Sequence, residues 1–168
     1  PVISMKSLNE KSYETELNAI KALLPELDEI IHKIRDDKQF KIDSKAKNDL
    51  VTSADLASEA FIVNRLSELF PYDVIWAEEN HAQPEELDQR IWIIDPIDGT
   101  TNFSHSFAPY CVSIALWDRT ELVLGLVYEL AHKQCFYATK GQGAYLDGTV
   151  LSVSPCTEPE DSLIATGF

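Results

Sequence analysis

The sequence predicts an α+β domain in which two helices cover one face of a mostly antiparallel sheet. Three observations predict it. Apolar residues in the first part of the chain recur at steps of three and four, the period of an amphipathic helix. From residue 73 onward the pattern changes to short apolar or alternating runs, the period of strands. Turn residues separate these runs, and helices followed by hairpin-linked strands assemble as helices on an antiparallel sheet.

The first helix is expected over residues 8–35, where Leu8, Leu17, Ile20, Leu23, Leu24, Leu27, Ile30, Ile31 and Ile34 form one apolar stripe. A kink is expected near Pro25, because proline has no N–H to donate and its ring crowds the preceding turn. Residues 36–50 are charged and polar and read as a loop that carries Lys41, Lys45 and Lys47. A second helix is expected to start near Thr52, where Thr52-x-x-Asp55 has the form of a capping box with Asp in place of Glu. It should run through Leu56, Phe61, Leu66 and Leu69 to Phe70, and Pro71 should end it.

Strands are expected at 73–77, 91–95, 109–117, 121–130, 134–138, 143–146 and 150–153. Between them lie Asp118-Arg119, Ala131-His132, Gly141-Gln142-Gly143 and Asp147-Gly148, the last a strong hairpin turn. With no internal repeat, low-complexity tract or linker, residues 1–168 read as one domain.

Composition narrows the function classes. The 168 residues are 45% apolar, enough for one proper core. Fourteen basic residues against 28 acidic ones leave a formal charge of −14. Such a surface repels nucleic acid and anionic membrane at long range, so neither is expected as a partner. It also repels an anionic substrate unless a bound cation or a helix terminus reverses the local field. Cys111, Cys135 and Cys156 form an odd, widely spaced set without a Cys-x-x-Cys pair and read as reduced thiols. The four histidines show no zinc-ligand spacing. No segment has the length of a membrane span, and the N-terminus lacks a basic-then-apolar leader pattern. A cytoplasmic address is therefore expected.

Three acidic groups sit where elements begin or end: Glu78 and Glu79 in Trp76-Ala77-Glu78-Glu79-Asn80, Asp95 and Asp98 in Asp95-Pro96-Ile97-Asp98-Gly99-Thr100-Thr101-Asn102-Phe103, and Asp55 in the first turn of the second helix. Asp95 ends a very apolar strand, so its carboxylate needs a partner. Pro96 should stop that strand, and the turn should bring Asp98 within reach of the same ion. Hard cations such as Mg2+ take carboxylates, backbone carbonyls and water, all of which this turn offers. Gly99 permits close backbone approach, and Thr100 and Thr101 can open a short helix whose free N–H groups cradle phosphate. Glu78 and Glu79 are neighbours on extended chain and should face opposite ways, so one of them reaches the ion. Each piece alone has a plainer reading. Asp-Pro-x-Asp-Gly-Thr is good turn chemistry, a Glu-Glu pair is usually solvated surface, and Asp55 suits a helix start.

Taken in order, Asp49-Leu50-Val51-Thr52-x-x-Asp55, Ala77-Glu78-Glu79 and Trp92-Ile93-Ile94-Asp95-Pro96-Ile97-Asp98-Gly99-Thr100-Thr101-Asn102-Phe103 resemble the inositol monophosphatase family. Val112-Ser113-Ile114, and Lys140-Gly141-Gln142-Gly143-Ala144 followed by Asp147-Gly148, match the same pattern. The Thr101-Asn102-Phe103 ending is closer to the inositol monophosphatase branch than to the nucleotide-phosphatase or histidinol-phosphatase branches.

The resemblance implies the N-terminal layers of an αβαβα sandwich and Mg2+-dependent hydrolysis of a small phosphate monoester, inositol monophosphate first, by metal-activated water. Alternatives are a sugar bisphosphate or 3'-phosphonucleotide substrate, or a non-catalytic regulatory module that retains the fold. By the same resemblance, Glu78 and Asp95 with the Ile97 carbonyl hold one Mg2+, and Asp95 and Asp98 share a second. Thr100, oriented by Asp55, positions and deprotonates the attacking water, with Glu78 also in the catalytic set. The N–H groups of Gly99 and Thr100 hold the phosphate. Family members also carry a later Trp-Asp signature that supplies another ligand to the second metal, and the full-length form is expected to be a homodimer. Trp117-Asp118 is followed by Arg119-Thr120-Glu121, does not match that signature, and reads as a hairpin turn. Residues 1–168 are accordingly expected to be one part of a longer product, inactive alone. Ala77 replaces the usual Gly. His105 reads as a solvated loop residue or one near substrate, Cys111 reads as core, and Lys45 and Lys47 fall in a region that the family uses as a mobile lid.

Overall fold

The computed structural model describes residues 12–37, 42–46, 49–79 and 83–164. Helix α1 spans Glu14–Asp36, with Glu14 and Glu16 in its first turn and Lys33 and Arg35 in its last, each sign facing the complementary end of the helix dipole. It buries Leu17, Ile20, Leu23, Leu24, Leu27 and Ile31, the expected stripe. The helical run continues on both sides of Pro25, so the proline does not end it.

Residues 42–46 and 49–50 depart from the expected loop. Strands β1 (Ile42–Ala46) and β2 (Asp49–Thr52) pair antiparallel, with a register shift between Ser44 and Ala46. Backbone hydrogen bonds hold such a ribbon, and a hydropathy pattern does not report them. Lys45 lies on β1, whereas Lys41 and Lys47 lie outside the described residues. Helix α2 (Ser53–Leu69) follows with Thr52 as its N-cap, and the capping box closes in both directions.

The main sheet contains β3 (Val74–Ala77), β4 (Arg90–Asp98), β5 (Cys111–Asp118), β6 (Glu121–Glu129), β7 (Gln134–Thr139), β8 (Gly143–Leu146) and β9 (Thr149–Val150), side by side in that order. β3 and β4 are parallel, and every later neighbour pair is antiparallel. Helix α3 (Thr100–Ser104) is a short third helix between β4 and β5. At the Asp147-Gly148 turn both residues have positive φ, 48° and 86°, the backbone that a tight hairpin requires.

α1 packs on α2 and α2 on β4, so the core lies between the helices and one face of the sheet. Ile20, Leu27, Ile62 and Leu66 meet Trp92, Ile94, Ile114, Leu116 and Leu126 there. Arg90 pins the rim of this core. Its guanidinium reaches Asp73 at 2.9 Å, Glu16 at 2.9 Å and Asp118 at 3.6 Å. Tyr13 Oη donates to Asp118 at 3.0 Å and Trp92 Nε1 donates to Asp73 at 3.0 Å, so α1, β4, β5 and the turn before β3 share one polar network. Asp118 closes the β5–β6 turn as expected and anchors this network as well. Among the described residues no helix is long and apolar enough to cross a membrane.

Candidate active site

The site forms where β3, β4, α2 and α3 meet. Strand β4 does not stop at Pro96. It continues to Asp98, with a register shift against β5 between the Asp95–Ser113 and Asp98–Cys111 pairs. Three steps along β4 thus face two along β5, a bulge that accommodates the residue lacking an N–H. The bulge, rather than a strand end, turns the chain so that Asp95 is half-buried and Asp98 exposed.

Asp95 is the electrostatic centre. Its Oδ1 is buried and has no hydrogen-bond partner among the described residues. Burial, then the charges of Glu78 and Asp98, then a hydrogen bond with Glu78, push its carboxyl up to about 7. Proximity of like charges and an unmatched oxygen are what a carboxylate group shows when a cation completes it. Even so, among the described residues no three His, Cys, Asp or Glu side chains converge as a closed ligand set. Glu78 is in hydrogen-bond contact with Asp95, whereas Asp98 stands near it as a charge only. The donor set, all carboxylate and carbonyl oxygen, fits a hard divalent cation and does not fit zinc-type sulfur and imidazole ligation.

Beside these carboxylates, Thr100 Oγ1 lies 3.1 Å from Asp55 Oδ1 and 3.0 Å from the Ile97 carbonyl oxygen. Asp55 is 1% exposed. Its Oδ2 accepts from the Thr52 backbone N–H at 3.0 Å and from the Thr52 hydroxyl. Burial pushes the Asp55 carboxyl upward, and the bonds from Thr52 and Thr100 oppose that shift. The helix-start contacts and the contact with Thr100 therefore coexist in one side chain.

Gly99 precedes α3 in a left-handed conformation, φ +84°, and a Cβ there would lie 3.4 Å from the Pro109 carbonyl oxygen. Position 99 thus favours glycine for its conformation, while a Cβ there would meet only ordinary van der Waals contacts. Thr100 and Thr101 open α3 as expected.

Glu78, Glu79 and Cys111 occupy places other than those expected. Glu78 and Glu79 lie in a turn after β3, not on extended chain, with Glu78 exposed. The Glu78 N–H donates to the Ile94 carbonyl at 3.2 Å and the Glu79 N–H to Glu59 Oε2 at 2.6 Å. Cys111 is not core. It is half-buried, 3.8 Å from Asp98 Oδ2, and burial followed by the Asp98 and Asp95 charges pushes its thiol up to about 12. His105 is exposed, with Nδ1 2.8 Å from the Thr101 carbonyl, and serves to close α3 locally. Ala77 is buried within β3, so nothing there demands glycine.

Sequence reasoning missed Ser58 and Glu59. Both are buried on α2, at 0% and 1% exposure, and Ser58 Oγ donates to the Pro96 carbonyl at 3.1 Å. Their signal was present as polar residues three and four positions beyond Asp55, on the same helix face. Leu56, by contrast, one of the apolar residues that mark the expected course of α2, is 45% exposed.

A helix pair over a bulged, mostly antiparallel sheet, with an oxygen-donor corner at the bulge beside a threonine–aspartate pair, defines the class of fold as α+β. A profile of the Inositol monophosphatase family matches residues 9–168, and the chain belongs to that family. It is 36% identical over 130 residues to inositol-1-monophosphatase of Bacillus subtilis (strain 168), covering 76% of this chain and 49% of the relative. It is 40% identical over 128 residues to the putative Nus factor SuhB of Neisseria meningitidis serogroup A, covering 76% and 49%. Among solved structures, an IMPase/NADP phosphatase complexed with Mg2+ and phosphate superposes with a TM-score of 0.80 at 27% identity, covering 88% of this chain and 56% of that one. The same kind of enzyme bound with D-inositol-1-phosphate gives 0.80 at 27%, covering 90% and 57%. The chain thus spans about half the length of the curated relatives that it matches.

Proposed function

We propose that this chain carries the metal- and phosphate-binding half of a Mg2+-dependent phosphatase that hydrolyses a small phosphate monoester, inositol monophosphate first. The observation that carries the reading is Asp95. Its buried, unmatched Oδ1 stands against Glu78 and Asp98, one helix start away from the Thr100–Asp55 pair. The neighbour with Mg2+ and phosphate and the neighbour with D-inositol-1-phosphate support the cofactor and the substrate class.

In this reading Glu78, Asp95, Asp98 and the Ile97 carbonyl hold Mg2+. When bound, the ion lowers the pKa of water and neutralises charge developing on the phosphate. The chain's own residues do the rest. Asp55 accepts the hydrogen bond of the Thr100 hydroxyl, which turns a Thr100 lone pair toward a water; as that water attacks, its proton passes to the Thr100 oxygen and the Thr100 proton passes to Asp55. The Gly99 and Thr100 N–H groups bind the phosphate and align phosphorus for in-line attack. The product is the free alcohol and inorganic phosphate, without a phosphoenzyme. No nucleic acid, no membrane surface, a cytoplasmic address and a homodimer complete the proposal.

A second reading rests on the 40% identity to a putative Nus factor: a regulatory module that retains the fold without turnover. One assay separates the two. Phosphate release from inositol 1-phosphate by the whole protein should require Mg2+ and vanish in Asp95→Asn. Mg2+-independent release, or none from a well-folded whole protein, would reject the phosphatase reading. Release from a sugar bisphosphate or a 3'-phosphonucleotide at a higher kcat/KM would change the substrate and keep the chemistry.

A further inference from the structure

We propose that Glu59 is a positioning residue for Glu78: it clamps the turn after β3 through the Glu79 main-chain N–H, so that the Glu78 carboxylate stays against Asp95. The proposal rests on reading those carboxylates as a divalent-cation site.

Glu59 is 1% exposed on α2, an expensive place for a carboxylate unless hydrogen bonds use its lone pairs. Its Oε2 takes the Glu79 N–H at 2.6 Å, a short charge-assisted bond between elements 20 positions apart in sequence. The preceding amide is held from the other side, since the Glu78 N–H donates to the Ile94 carbonyl at 3.2 Å. Successive amides of one turn are thereby fixed to α2 and to β4, and the Glu78 side chain leaves from between them toward Asp95, with which it hydrogen-bonds. The next residue back along α2 acts on the other half of the site: Ser58 Oγ donates to the Pro96 carbonyl at 3.1 Å, beside the bulge that carries Asp95. One helix turn therefore holds both segments whose carboxylates must meet. The proposed effect of Glu59 passes through the backbone of residue 79.

Outer partners of this kind typically change metal affinity by about 10–100-fold when lost. The test compares Glu59→Gln, which keeps an acceptor oxygen, with Glu59→Met, which keeps shape and removes it. Mg2+ alone is titrated into each variant by calorimetry, and amide exchange at Glu79 is followed in metal-free protein. Expected are a Mg2+ dissociation constant for Glu59→Gln within about twofold of wild type and one for Glu59→Met weaker by about tenfold. The Glu79 amide should be protected in wild type and in Glu59→Gln. Equal Mg2+ affinity in wild type and Glu59→Met overturns the proposal, as does equal weakening in both variants, which would assign the effect to charge. If Glu59→Met fails to fold, exchange decides, because a wild-type Glu79 amide as fast as an open-loop amide also overturns it. Asp95→Asn separates this from the underlying reading: undiminished Mg2+ binding there rejects the cation site itself, while the exchange result stands on its own.

Discussion

Thr100 Oγ1 sits 3.1 Å from Asp55 Oδ1 and 3.0 Å from the Ile97 carbonyl, so one hydroxyl proton has two acceptors on different elements. A hydroxyl so placed is held in orientation, which is what a water-positioning group needs. If the proposed function holds, Thr100→Ala in the whole protein should lower kcat by roughly 100-fold and leave KM within a factor of about two, while Thr100→Ser should retain most activity. Steady-state phosphate release across a substrate range checks it. A loss confined to KM would move Thr100 from chemistry to binding.

Asp95 predicts a pH dependence for the metal-free chain. An unfolded Asp titrates near about 3.9, whereas the folded carboxyl is raised to about 7. The protonated form is thus favoured by folding. Its contribution to stability is fully present below about pH 4 and is lost as pH rises through about 7. In EDTA, melting temperature should fall across that window more steeply in wild type than in Asp95→Asn. Millimolar Mg2+ should restore wild type at neutral pH and do little for Asp95→Asn. Identical pH profiles for the two proteins in EDTA would contradict the crowding of carboxylates around Asp95.

The turn at 78–79 separates two adjacent glutamates by role. Glu78→Gln removes the charge that meets Asp95, whereas Glu79→Gln leaves intact the main-chain N–H that Glu59 holds. Mg2+ titration should therefore show a clear loss for the first substitution and a change of less than about threefold for the second. Equal losses would mean that the Glu79 side chain also reaches the ion.

Gly99→Ala places a Cβ 3.4 Å from the Pro109 carbonyl and forces φ +84° on an L side chain. The conformation alone costs about 1–2 kcal/mol. A melting temperature lower by roughly 2–8 °C is expected for a domain of this size. Differential scanning calorimetry reads this directly, and an unchanged transition would show that the turn can relax.

Arg90→Ala strands Glu16, Asp73 and Asp118 without their shared cation. Breaking a largely buried charge network by removing one partner costs about 3 kcal/mol. Urea unfolding should report a loss of that order with an unchanged m-value. A loss under about 1 kcal/mol would place the network among the weak surface pairs.

Much of this protein was legible in its sequence because period and turn chemistry are local. The α1 stripe, the Thr52–Asp55 capping box, the Asp147-Gly148 hairpin and the nine residues from Asp95 to Phe103 are each contained within a few turns or a single strand. What escaped depends on partners distant in sequence. The β1–β2 ribbon is held by cross-strand backbone bonds, β4 passes Pro96 because β5 tolerates a bulge, and Glu59 is buried because the residue 79 amide waits for it. Leu56 illustrates the same limit: its exposure follows from α2 turning a polar edge inward toward the site.

The order of strands in the sheet also bears on how the chain folds. From β5 to β9 every strand pairs antiparallel with its neighbour in sequence across a short turn, so each step closes a small loop at little entropic cost. The β3–β4 pair, which is parallel, closes instead across residues 78–89 and the β4–β5 pair across residues 99–110, and these two pairs flank Asp95. The meander can zip early, while the corner that holds Asp95 waits for these longer closures. Pulse-labelled amide exchange during refolding should accordingly protect β5, β6 and β7 before β3, making the site the last part of the sheet to mature.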